Sequence, residues 1–324
     1  MIATTPVARW TWGRDNQAAD KVAACLHELL TAYTVLARHR LASDVPNVSL
    51  SVHEAGKSNS YLFQGNFELD ATSPSVDIAH QLADQVKNSL HPGPIGAVYA
   101  YAKSTGVLRS GNDALHGGEL FRLAAFVDYV STDLVTFSDL WMPYDLKGRA
   151  QPAVYAANAP RLAAALRDLA EALGSETDPD DPTYFGKPTE TGIDNYFDDG
   201  IASDVWSRFE IPYRYNEFTH APGFGRIGYR RSADGEVQYV PVHGEHGVLG
   251  YLWASDTENA ASFEPRDVED DESYTAGLQW LDRLRSAHDR GLSPSQALAE
   301  LAGLTENNKP GTLDLASLRD IANE

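Results

Sequence analysis

His243-Gly-Glu245-His246 sets two imidazoles and a carboxylate in one short loop, a donor set that suits zinc or iron. His220, upstream, could add a third imidazole across neighbouring strands. The pattern is not H-E-x-x-H, and no helix brings the two histidines to one side. Gly244 and Gly247 are also what a polar hairpin loop requires. The expectation is no cofactor, with a metal-dependent hydrolase built on His220, His243, Glu245 and His246 as the alternative. Glu54-Ala-Gly-Lys-Ser58 ends like a phosphate-binding loop. Ser51 stands where that loop needs its first glycine, and an alternating strand follows where a helix should hold the phosphates. It reads as a hairpin turn. Cys25 lies on or beside an apolar helix face, and His27 points elsewhere on that helix. There is no G-x-S-x-G. No catalytic residue is assigned, because general acid–base work needs carboxylates at defined separations and the many Asp/Glu pairs select none.

A different chemistry is written in TDPDDPTYFGKPTETGIDNYFDDG, residues 177–200, where seven acids and one lysine surround four aromatics. A solvated linker would be rich in small polar residues and poor in rings. Here Tyr184, Phe185, Tyr196 and Phe197 accompany Asp178, Asp180, Asp181, Asp194, Asp198 and Asp199. Aromatic anchors flanked by carboxylates suit a basic protein partner: rings bury area and acids pair with Lys or Arg. The competing reading is that the rings dock this segment internally and the acids keep it soluble. Asp178-Pro-Asp180-Asp181 lacks the alternation and the glycine of a calcium loop.

The charge has the same sense. The 324-residue chain carries a formal −20. Residues 1–174 hold 14 basic and 17 acidic residues, and residues 175–324 hold 12 basic and 29 acidic. Neutralising phosphate needs basic surface, so nucleic acid and anionic membranes are not expected partners. A negative field accelerates encounter with a cationic partner. No apolar run is long enough to span a membrane and no charged-then-apolar leader opens the chain, so cytoplasmic residence is expected. Arginine outnumbers lysine 19 to 7, which suggests a GC-rich bacterial genome.

These residues need elements to hold them. The expected fold class is α+β: an N-terminal α+β layer domain over 1–174, then an acidic antiparallel β-meander with C-terminal helices over 175–324. Strands are expected at Val7–Trp12, Val48–His53, Tyr61–Leu69, Ala97–Lys103 and Leu134–Tyr144. Asp15 opens a helix whose Val22, Leu26, Leu29, Tyr33 and Leu36 share one face. Pro74 opens a second, and Asn158 caps a third with Pro160 in its first turn. The meander is read at Val205–Phe218, Gly225–Arg231, Glu236–His243 and Val248–Ala254, with Asp234-Gly235 and Gly244–Gly247 as turns. A helix follows through Ala276–Arg290, and Ser293-Pro-Ser-Gln296 fits a capping box.

Thr191-Gly-Ile-Asp-Asn-Tyr-Phe197, His220-Ala-Pro-Gly-Phe-Gly-Arg-Ile-Gly-Tyr229 and Leu249-Gly-Tyr-Leu-Trp-Ala-Ser-Asp256 resemble bacterial immunity proteins found beside secreted polymorphic toxins. The resemblance covers roughly residues 130–300 and carries no catalytic motif. It implies a non-enzymatic protein that binds a cognate toxin, often a basic nuclease, and blocks its active site.

Overall fold

Residues alternating between apolar and polar along the first half build one large sheet, and the periodic helices cover one of its faces. The computed structural model describes residues 1–14, 19–42, 46–57, 59–68, 76–110, 113–127, 130–228, 231–245, 247–305 and 310–322. Contacts divide the chain into two units, Met1–Trp206 and Ser207–Glu324.

The first unit runs β1 (Ala8–Arg14), α1 (Lys21–Arg38), β2 (Asn47–Glu54), β3 (Tyr61–Glu68), α2 (Val76–Asn88), β4 (Ile95–Ser110), β5 (Asp113–Val127), β6 (Val130–Thr136) and α3 (Pro152–Leu173). The short strands β7 (Asp178–Pro179), β8 (Lys187–Thr189), β9 (Gly192–Asp194), β10 (Phe197–Asp198) and β11 (Ile201–Ala202) complete it. Seven strands form an antiparallel sheet in the order β3-β2-β4-β5-β6-β1-β7. Val48, Leu50 and Val52 on β2, with Val98, Ala100 and Ala102 on β4, are buried on a single face. There α1 packs with its predicted stripe, and α2 and α3 flank it in the same layer. Asp20 caps α1 by accepting from the Ala23 amide, 3.1 Å away.

Cys25 shows how dry that layer is. Its thiol is fully buried, with Sγ 3.2 Å from the Ala125 carbonyl oxygen. Burial drives the thiol far above its ordinary titration range, so the reactive thiolate does not form in the folded state. Iodoacetamide at mildly alkaline pH is expected to leave the native protein unmodified and to alkylate it completely in denaturant. Rapid labelling of folded protein would contradict this packing.

The second unit runs α4 (Ile211–Glu217), β12 (Glu236–Gly244), β13 (Gly247–Ser255), β14 (Ala260–Pro265), α5 (Asp271–Asp289), α6 (Pro294–Ala302), β15 (Gly311–Asp314) and α7 (Leu315–Ala322). Its antiparallel sheet has the order β14-β13-β12-β15. Both faces are covered. Val240, Leu252 and Phe263 join Leu284 and Leu298 of α5 and α6, whereas Val237 and Trp253 join Leu315 and Leu318. The capping box is present: Ser293 Oγ accepts from the Gln296 amide and Gln296 Oε1 from the Ser293 amide.

The α+β class holds, but several expectations are corrected. The division lies after Trp206, not after Gly174, because residues 175–206 pack with the first unit. Val205–Phe218 is helical, a π-turn over Trp206–Glu210 leading into α4. Its aromatics suggest a strand, yet Glu210 and Arg214 pair in the interior at helical i,i+4 spacing. Gly225 makes one bridge to Ala260, and the described part of Gly225–Arg231 forms no strand; Tyr229 and Arg230 lie outside the described residues. The strands that complete the sheet are β14 and β15, neither of them expected. The strand expected over Leu134–Tyr144 ends at Thr136. Helix α3 starts at Pro152, where a proline lacks only an unneeded amide, so Pro160 is interior. Asn158, expected as its cap, instead bonds back to the Val154 carbonyl at 2.9 Å. Asp15 and Pro74, the other expected helix starts, lie outside the described residues. Among the described residues no helix is long and apolar enough to cross a membrane.

Candidate functional site

The acidic segment is held in place by groups that need partners. Trp10 and Trp12 are buried on β1, and a buried indole N–H seeks an acceptor. Trp10 Nε1 donates to the Thr189 carbonyl at 2.7 Å, and Trp12 Nε1 to Thr177 Oγ1 at 3.1 Å. Between those contacts β7 adds to β1, pairing Thr11 with Asp178 and Trp10 with Pro179. A proline is tolerated there because β7 is the edge strand. The Thr183 hydroxyl donates to the Val7 carbonyl and accepts from the amides of Phe185 and Gly186. Buried Asn195 brackets Tyr144, accepting from its amide at 3.1 Å and donating to its carbonyl at 2.9 Å. The Tyr196 hydroxyl donates to the Thr183 carbonyl at 2.6 Å. Asp199 and Gly200 take φ of 50° and 81°, the left-handed pair of a two-residue turn joining β10 and β11. The segment is an internal element of the first unit, not a linker.

That frame sorts the expected partner-binding residues. Asp178, Asp180, Asp181, Asp194, Asp198 and Asp199 are all exposed. Tyr184 and Phe197 are exposed too, Phe197 resting edge-on against Tyr144 with centroids 5.7 Å apart. Tyr196 is half-buried, with Lys187 Nζ 4.9 Å from its ring centre. Phe185 is the exception. It is 2% exposed and belongs to the core, so it anchors the segment and does not face a partner. Asp180 meets Arg9 at 3.6 Å, and Asp198 accepts from Ser203 at 2.8 Å. Ile201, which no sequence pattern marks, is 74% exposed at the tip beside Asp198.

Residues 175–206 hold one basic and nine acidic residues, and residues 207–324 hold 11 and 20. The densest negative charge thus belongs to the first unit.

The histidine loop is arranged differently. His243 pairs with Val248 at the end of the β12–β13 hairpin, past a bulge, and His243 and Glu245 are exposed. His220 is half-buried, its Nδ1 3.4 Å from Thr219 Oγ1. His246 lies outside the described residues. Among the described residues no three His, Cys, Asp or Glu side chains are placed to hold a metal ion. Glu54 and Lys57 sit in the β2–β3 turn, the glutamate accepting from Lys57 at 2.8 Å and from Ser60 at 2.9 Å; Ser58 lies outside the described residues.

No protein-family model matches this chain, and searches of curated proteins and of solved structures return no match.

Proposed function

We propose that this chain is an immunity-type inhibitor that captures a cationic toxin domain through the acidic surface of residues 178–204. One observation carries the reading: six aspartates are exposed on a backbone pinned by buried anchors. A field on such a frame steers a basic partner and loses little entropy on docking. Tyr184, Phe197 and Ile201 add exposed apolar area among the acids, which suits anchoring into a partner's pockets.

The test is kinetic binding to the basic partner that the protein captures in a pull-down. Reversing Asp178, Asp180, Asp181, Asp194 and Asp198 to lysine, and leaving Asp199 in its left-handed turn, is expected to leave the melting temperature nearly unchanged. Exposed charges contribute on the order of a few tenths of a kcal/mol each. Binding is expected to weaken by more than about a hundredfold, since broken interface charge pairs cost roughly 2–5 kcal/mol each. Wild-type association should slow as salt rises. Unchanged binding by a well-folded reversed variant would sink the proposal.

A further inference from the structure

The face of the large sheet opposite α1–α3 has a chemistry of its own. The register lines Ser51, Tyr99 and Phe126 across β2, β4 and β5, and Ser49, Tyr101 and Ala124 beside them. Rings gather along these rows. His53 lies 4.5 Å from Tyr61 and 5.0 Å from Tyr99, centroid to centroid, and Phe126 stands edge-on to both Tyr99 and Tyr101. Tyr61 and Tyr101 remain 48% and 46% exposed. Large rings are left half in water although a helical layer covers the sheet's other face.

Two hollows of about 800 and 590 Å³ run along this surface and share Tyr101. Neutral hydrogen-bonding groups line them, Gln64 and Ser51 in the first, Ser49 and Asn66 in the second. Their charge departs from the rest of the molecule. Lys21 and Lys57 border the first hollow and Lys103 and Arg122 the second, with Glu54, the partner of Lys57, the single carboxylate among the described residues of the two linings. In a chain of net −20 this is a local inversion of sign. The next acid along the Tyr101 row is Asp133, which accepts from the Thr11 and Ser131 hydroxyls at 3.2 and 3.3 Å.

Flat rings beside cations and neutral polar groups define a ligand that has a planar ring, hydrogen-bonding edges and negative charge. We propose that this trough binds a nucleoside phosphate, with the base against Tyr99, Tyr101 and Tyr61 and the phosphate toward Lys103 and Arg122. Base–aromatic stacking tolerates any base because each has a π-face. A single nucleotide is favoured over a polymer, because every further phosphate must enter the repulsive field of the whole chain. The trough shares no residue with the acidic segment, whose Asp178 lies two strands beyond Asp133 along the same row, and the proposal stands or falls without that segment's function.

Calorimetric titration of the full chain with AMP, adenosine, inorganic phosphate, hexa-adenylate RNA and maltohexaose tests the proposal. AMP is expected to bind, with adenosine and phosphate each at least about tenfold weaker, since both halves of the ligand are recognised. Tyr101→Ser and Lys103→Gln should each lower AMP affinity about tenfold with little change in melting temperature, both side chains being exposed. Absence of AMP binding at millimolar concentration would overturn it. So would unaltered binding by Tyr101→Ser, or tighter binding of maltohexaose or of the hexamer than of AMP.

Discussion

Phe185→Ala is expected to destabilise the first unit by about 3–5 kcal/mol, while Tyr184→Ala stays within about 0.5 kcal/mol of wild type. The two rings are neighbours in sequence, and the backbone sends them to opposite environments. Phe185 is 2% exposed and Tyr184 69%. Removing the first leaves a void beneath the acidic segment, where Gly186 already approaches Ile193 so closely that a Cβ would lie 2.7 Å from its Cγ2. In a unit of this size the loss corresponds to a drop of roughly 6–20 °C in the melting transition. Tyr184 has little packing to lose, so its effect belongs to partner dissociation. Thermal melts of both variants, followed by binding kinetics of Tyr184→Ala, separate docking from recognition. Equal destabilisation by the two changes would mean that Phe185 does not seat the segment.

Much of the first unit was legible because periodicity states a face directly. Val22, Leu26, Leu29, Tyr33 and Leu36 recur at helical spacing, and all five are buried. The aromatic content of residues 177–200 argued against a linker, and the segment is an internal element. Which ring anchors and which is exposed was not legible. That depends on Trp10, Trp12 and Tyr144, far away in the chain, whose polar groups the segment satisfies. The same limit hid the ringed sheet face. Tyr99-Ala-Tyr-Ala-Lys103 alternates openly, but only the pairing register sets His53, Tyr61 and Phe126 beside it. Val205–Phe218 misled for a local reason. Its aromatics favour a strand by type, and the helical signal was the charged pair Glu210 and Arg214, which reads as surface until both prove buried.

That pair carries the largest effect expected in the second unit. Arg214 Nε donates to Glu210 Oε1 at 2.9 Å, Nη1 to the Val268 carbonyl at 3.0 Å and Nη2 to Asp271 at 2.9 Å. The guanidinium also lies 4.6 Å from the centre of the Tyr274 ring, whose hydroxyl is pushed up to about 12, foremost by burial. One side chain therefore joins α4, the turn before α5 and α5 itself. Arg214→Met keeps much of the volume but strips Glu210, which is 0% exposed, of its counter-charge. Truncating one partner of a buried pair costs about 3–5 kcal/mol. The double change Glu210→Leu with Arg214→Met is expected to recover most of that loss, because two apolar side chains leave no buried charge behind. Urea titrations of the single and double variants make the comparison. If Arg214→Met alone were neutral, the network would contribute nothing to the fold. If the double variant were as unstable as the single, the bonds to Val268 and Asp271, not the charge left on Glu210, would be what holds the two helices together.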